Sequence, residues 1–146
     1  QGRGERRMMI HYSLTIPIRP EPKQRPGFTK FGKAYTPTKT RDYEKKISDY
    51  FTSHSKAGMF EKDVPIVVNL IFGMPIPKST SKSKAKVMIE GAVKHTKKPD
   101  IDNMQKAVLD ALNGIAWEDD SQIVRVTAEK EYAVKPYVHL YVHEAL

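Results

Sequence analysis

The chain has 146 residues, 25 of them Lys or Arg against 17 Asp or Glu, for a net charge of +8, and it contains no cysteine. That length suits one domain burying roughly 68–70% of its unfolded surface. The missing thiols exclude a disulfide scaffold, thiolate zinc and a cysteine nucleophile, and no apolar run approaches the ~18 residues of a membrane span.

The opening QGRGERR has no apolar core and is no secretory signal. Residues 1–7 read as an added or disordered N-terminus, with Met8 or Met9 as the start and 8–146 as a single domain. Ile10, Tyr12, Leu14, Ile16 and Ile18 alternate with polar residues and predict a half-buried strand ending near Pro17. Residues 19–37 are punctuated by Pro and Gly and read as a loop, with Phe28, Phe31 and Tyr35 set among its charges. Tyr43, Ile47, Tyr50 and Phe51 recur at helical spacing, and Thr36, Pro37 and Thr40 offer starts for that helix. Val64 to Met74 is apolar almost throughout, as expected for a central strand covered on both faces. Residues 78–90 predict a short helix stopping at Gly91, and 92–99 a loop. Met104, Val108, Ala111 and Leu112 predict a helix over 103–113, with Gly114 just beyond it. Two alternating stretches, 122–132 and 136–143, separated by Ala133-Val134-Lys135, predict a hairpin. The expected class is α/β in the broad sense (α+β): one compact domain with a mixed β-sheet, order β-α-β-α-β-β, and long basic loops.

The positive charge is concentrated. Segment 19–41 holds Arg19, Lys23, Arg25, Lys30, Lys33, Lys39 and Arg41 against Glu21 alone. Segment 78–98 holds Lys78, Lys82, Lys84, Lys86, Lys94, Lys97 and Lys98 against Glu90 alone, and the rest of the chain is mildly acidic. Two such segments are the electrostatic footprint of a polyanion-binding protein, most often one that binds nucleic acid.

Between and after them the carboxylates gather: Asp100 and Asp102 in Lys98-Pro99-Asp100-Ile101-Asp102-Asn103, then Glu118, Asp119 and Asp120. If 100–102 is extended, both aspartates leave on one side about 6–7 Å apart, and a third carboxylate from 118–120 would complete an oxygen site for Mg²⁺. The competing reading is helix capping by Asp102, with Asp100 favoured by the helix dipole. Met104 breaks the EF-hand pattern and no phosphate-binding glycine loop is present. Neither Glu129-Lys130-Glu131 nor Glu131-Tyr132-Ala133 supplies the Asp/Glu-x-Lys of a restriction-type nuclease. The five scattered histidines read as surface or packing residues. Lys106 falls four residues after Asp102, where it either stabilises charge in a phosphoryl transfer or pairs with Asp110.

Taken in order, Lys98-Pro99-Asp100-Ile101-Asp102-Asn103, Lys106, Asp110-Ala111-Leu112-Asn113-Gly114 and Asp119-Asp120-Ser121-Gln122-Ile123 resemble the RusA-type Holliday junction resolvases, phage and prophage endodeoxyribonucleases. Lys23-Gln24-Arg25-Pro26 and Pro75-Ile76-Pro77-Lys78-Ser79 resemble the family's basic segments, and the resemblance spans residues 9–143. It implies a homodimeric α/β protein, cytoplasmic and bacterial or phage-encoded. It further implies binding to DNA four-way junctions and nicking of two symmetry-related strands with Mg²⁺, or Mn²⁺ as substitute, and no organic cofactor. By motif it implies catalytic roles for Asp100, Asp102, Lys106 and Asp120, the three aspartates holding the metal. The interval from Leu112 to Asp119 is one residue shorter than the family pattern, so Asp119 stays open as the third ligand. Lys23, Arg25, Lys30, Lys33, Lys97, Lys98 and Asn103 are the candidate DNA contacts. For the dimer, the best surface is a face of the last strand, either Tyr137, His139, Tyr141 and His143 or Val138, Leu140 and Val142. The rival readings are a junction-binding module without catalysis and a metal-dependent nuclease for flaps or single strands.

Overall fold

The computed structural model describes residues 11–55 and 58–145. The proposed extension over 1–7, the start at Met8 or Met9, and Ile10 lie outside the described residues. Strand β1 (His11–Ile16) is followed by a two-strand hairpin, β2 (Gly27–Phe28) and β3 (Ala34–Tyr35), then α1 (Thr38–His54) and β4 (Ile66–Pro75). Next come α2 (Lys82–Ile89), α3 (Ile101–Leu112), a 3-10 turn at Asp120–Gln122, β5 (Ile123–Ala133) and β6 (Tyr137–Glu144). The fold is mixed α+β. The small hairpin inside the first basic segment and the helix α2 make the element order longer than β-α-β-α-β-β.

The main sheet runs β1-β6-β4-β5, with β6 antiparallel to both β1 and β4 and β5 parallel to β4. The predicted β5–β6 hairpin is therefore wrong. Both segments are strands, but β4 lies between them. Val134-Lys135-Pro136 carries the chain across the end of β4, where Ala133 pairs with Pro75 and Tyr137 with Gly73. Two strand spacings are roughly 9.5 Å, and the four Cα steps from Ala133 to Tyr137 reach about 13–14 Å at most. The turn is long enough to straddle one strand. Strand β4 takes the centre with β6 and β5 on its two edges; Ile66, Val68, Leu70, Phe72 and Met74 are almost wholly buried on one of its faces, whereas Asn69 and Ile71 on the other are only half-buried, so the expected cover on both faces is not realised.

The helices cover one face of this sheet. Thr40, Tyr43, Ile47 and Phe51 of α1 and Met104, Ala107, Val108, Ala111 and Leu112 of α3 are buried, at the spacing of one helical stripe each. They meet Val138, Leu140 and Val142 of β6 in a single core, completed by Phe60 and Trp117. Tyr12 packs edge-on to Phe51, with ring centroids 5.2 Å apart, and its hydroxyl donates to the Ala116 carbonyl at 2.8 Å. The opposite sheet face carries Tyr137, His139, Tyr141 and His143 beside His11, Ser13 and Thr15, none of them fully buried. Of the two candidate dimer surfaces, the Val138-Leu140-Val142 face is thus consumed by the core.

Candidate active site and DNA-facing surface

Helix α3 begins two residues earlier than its apolar spacing predicts. Asp100 is its N-cap, with φ −70° and ψ 141° and no side-chain cap bond, and Asp102 already lies in the first turn. The extended 100–102 segment is therefore replaced by a cap and a helical turn, and Asp102 is not the cap. The helix presents Asp102, Asn103, Lys106 and Asp110 on the face opposite its buried stripe. Asp102 and Lys106 are exposed, and neither has an ion pair among the described residues. Of the two roles open to Lys106, the ion pair with Asp110 does not form, because Asp110 is taken by another lysine.

That lysine is Lys23. Its Nζ lies 2.6 Å from Glu44 Oε2 on α1 and 3.1 Å from Asp110 Oδ2 on α3, and its backbone N–H donates to the Asn103 carbonyl at 3.0 Å. Burial alone would lower the pKa of this ammonium, yet the bonds to Glu44 and Asp110 outweigh it and raise the value. Lys23 is thus a strut between two helices, its ammonium held by two carboxylates. A charge run identifies cations but not which of them find acidic partners far along the chain. Arg25, Lys30, Lys33, Lys97 and Lys98 are exposed, as a DNA-facing group must be, and so is Asn103.

The two neighbouring aspartates after α3 have different surroundings. Asp119 caps the 3-10 turn, accepting from the Ser121 N–H at 2.8 Å while Gln122 returns a bond to the Asp119 N–H. The bonds from Ser121 hold its pKa below the usual carboxylate value. Asp120 is half-buried, and its Oδ1 accepts from Trp117 Nε1 at 2.7 Å while its own N–H donates to Asn113 Oδ1 at 3.0 Å. Burial raises the Asp120 pKa; the Trp117 bond opposes this, and the charges of Asp110 and Asp119 push it up further. Asp119 is therefore committed to a turn, while Asp120 is held by a buried indole within the field of α3's acidic face.

Asp100 stands 3.5 Å from Lys98 in an exposed pair. Among the described residues, no three His, Asp or Glu side chains are gathered closely enough to hold a metal ion. Asp100, Asp102 and Asp120 accordingly do not form a closed cluster. In donor chemistry they do suit a hard cation: all are carboxylates, Asp102 is unpaired, and Asp120 sits in excess negative charge. A shallow cleft of about 330 Å³ lined by Pro22, Lys23, Lys98, Pro99, Asp100 and Asn103 connects the first basic loop to the start of α3. The larger cavity, about 640 Å³, is lined by residues of 17–46 and shares none with the α3 face.

Sequence reasoning missed three supports. Lys130 Nζ donates to the carbonyls of Lys97 at 2.9 Å and Pro99 at 3.2 Å, fixing the approach to α3 from β5. Trp117 and Asn113 hold Asp120. The signal for Trp117 was present, since the chain's single tryptophan lies three residues before that aspartate.

An acid-bearing helix face and a half-buried carboxyl, joined to exposed basic loops, define a protein that handles a phosphate polyanion. The profile of the family described as Endodeoxyribonuclease RusA matches residues 17–143. The uncharacterized protein YqaN of Bacillus subtilis (strain 168) is similar, 31% identical over 134 residues, covering 90% of this chain and 94% of that protein. The chain belongs to the RusA endodeoxyribonuclease family, and its substrate class is DNA. No helix among the described residues is long and apolar enough to cross a membrane.

Proposed function

We propose that this protein resolves four-way DNA junctions by paired, symmetric nicks that depend on Mg²⁺, with Mn²⁺ as an alternative. The observation that carries the reading is the indole-held Asp120 standing within the field of Asp110 on α3, the helix that also presents Asp102 and Lys106, in a chain of this nuclease family. Asp100, Asp102 and Asp120 would hold the cation. Bound there, it would activate water and neutralise charge on the scissile phosphate. Lys106, exposed and unpaired, supplies a second positive charge for a non-bridging phosphate oxygen. Arg25, Lys30, Lys33, Lys97 and Lys98 pair with flanking phosphates, and Asn103 lies at the rim of the same cleft.

Two opposed strands must be cut, and one chain carries one such set of acids. A two-fold homodimer matches the approximate two-fold symmetry of the junction. The helix-free sheet face with Tyr137, His139, Tyr141 and His143 is the dimer surface in this reading, because it is semi-apolar and lacks the basic loops.

The test compares four-way, flap and linear substrates with Mg²⁺ and Mn²⁺. Preferential, paired incision of the four-way substrate is expected. Equal cutting of flaps would move the function to the flap-nuclease reading. The other rival is a module that binds without cutting. Junction binding in chelator with no cleavage at any metal concentration would establish that one instead.

A further inference from the structure

The β2–β3 hairpin holds aromatic rings out into solvent on a cationic tip. Phe31 is 86% exposed, Phe28 67% and Tyr35 52%. Core packing does not explain rings so open, and three together within eight residues exceed the scattered apolar exposure of an ordinary surface. The tip is also built firmly. Thr29 Oγ1 accepts from the N–H of Phe31 at 3.3 Å and of Lys33 at 3.1 Å, while Thr29 N–H donates to the Lys33 carbonyl at 2.9 Å. Gly32 closes the turn at φ +80°, a conformation open to glycine and strained for most other residues. Tyr35 is fixed over Gly27, whose missing side chain makes the space: a Cβ there would overlap the Tyr35 ring. Phe31 is left as the free apex, with Lys30 Nζ 5.3 Å from its ring centroid and Lys33 two residues on.

The hairpin is also anchored to the acid-bearing helix. Lys23, just before it, bonds Asn103 through its backbone and Asp110 through its ammonium, and the Gln24 N–H donates to Thr40 Oγ1 at 3.2 Å. A ring carried between two lysines suits an apolar, flat group embedded in a polyanion. That description fits a nucleobase whose face is not already stacked. Continuous duplex offers no such face, whereas the helix ends meeting at a branch point do.

We propose that Lys30-Phe31-Gly32-Lys33 is a base-stacking finger, in which Phe31 lies against an exposed base at the centre of branched DNA and so selects branched over continuous duplex. The inference rests on the reading that branched DNA is the substrate. The lysines supply attraction common to all DNA, and the ring supplies the discrimination.

The test uses the full chain and its Phe31→Ala and Phe31→Trp variants, with Lys30→Gln/Lys33→Gln as a charge control. Phe31 is exposed, so neither replacement disturbs the core. Binding is measured on a four-way junction and a linear duplex of the same sequence, with 2-aminopurine at the branch point reporting base unstacking. Phe31→Ala should weaken junction binding roughly 5- to 150-fold, leave duplex binding and the salt slope unchanged, and abolish the fluorescence rise. Phe31→Trp should keep both the junction affinity and the fluorescence rise of the parent chain. The double lysine variant should instead weaken both substrates and lower the salt slope. If the parent chain prefers the junction and Phe31→Ala keeps that preference and the signal, the finger is refuted while the substrate reading stands. If the parent chain shows no preference for the junction, both are refuted.

Discussion

Replacing Lys23 by Met separates a structural strut from a phosphate contact. Met keeps the length and most of the apolar stem while removing the ammonium. The side chains of Lys23, Glu44 and Asp110 are 20%, 21% and 33% exposed, between the surface and buried regimes. Fully exposed pairs contribute about 0–1 kcal/mol, while breaking a buried pair costs about 3–5 kcal/mol because a charge is left uncompensated. Here two short bonds are lost, at 2.6 and 3.1 Å, and two carboxylates are left facing the same gap. A destabilisation of about 2–3 kcal/mol is expected, read as a lower urea midpoint at unchanged m-value. Adding Asp110→Asn should recover part of the loss, since it removes one of the two stranded charges. The salt slope of DNA binding should not change, because the ammonium is already committed within the protein. A Lys23→Met variant within about 0.5 kcal/mol of the parent, or a slope lowered by about 0.9, the size of one lost phosphate contact, would refute the strut.

Three further outcomes are expected. Asp100→Asn, Asp102→Asn and Asp120→Asn should each abolish cleavage and leave junction binding equal or tighter, and chelation of the parent should do the same; a variant retaining most of its rate removes that residue from the site. Trp117→Phe keeps the buried ring but deletes the N–H at 2.7 Å from Asp120 Oδ1, so incision should slow by roughly ten- to a hundredfold with DNA affinity intact; an unchanged rate would show that the indole does not position Asp120. Sedimentation at micromolar concentration should give twice the chain mass, reduced to one chain by Tyr141→Asp on the helix-free sheet face; a parent monomer that still makes both cuts in one binding event would end the dimer proposal.

Local pattern was sufficient wherever the physics is local. The 3.6-residue spacing of Met104, Val108, Ala111 and Leu112 specified a helix and its buried face. That left Lys106 outward without any knowledge of a partner, while the placing of Asp102 in the first turn came only with the structure. The nearly unbroken apolar run from Val64 to Met74 specified a central strand, though helices cover only one of its faces. The period of two in the last thirty residues or so specified two strands, but alternation reports only which side chains share a face. It carries no information about which neighbour a strand takes, so adjacency in the chain was mistaken for adjacency in the sheet. In the fold β4 takes β6 on one edge and β5 on the other, so its backbone groups are paired on both sides. The same distinction separates Lys23 from Arg25. The two read alike in a basic stretch, and only the fold brings Glu44 and Asp110, 21 and 87 positions away, within bonding distance of one and not the other. Asp119 and Asp120 were likewise equal as letters. A turn that needs its first N–H groups capped took one carboxylate, and a buried indole took the other. Secondary structure follows from neighbours a few residues apart, but the partner of a charge or of a strand edge is set by long-range contacts that exist only once the core has formed.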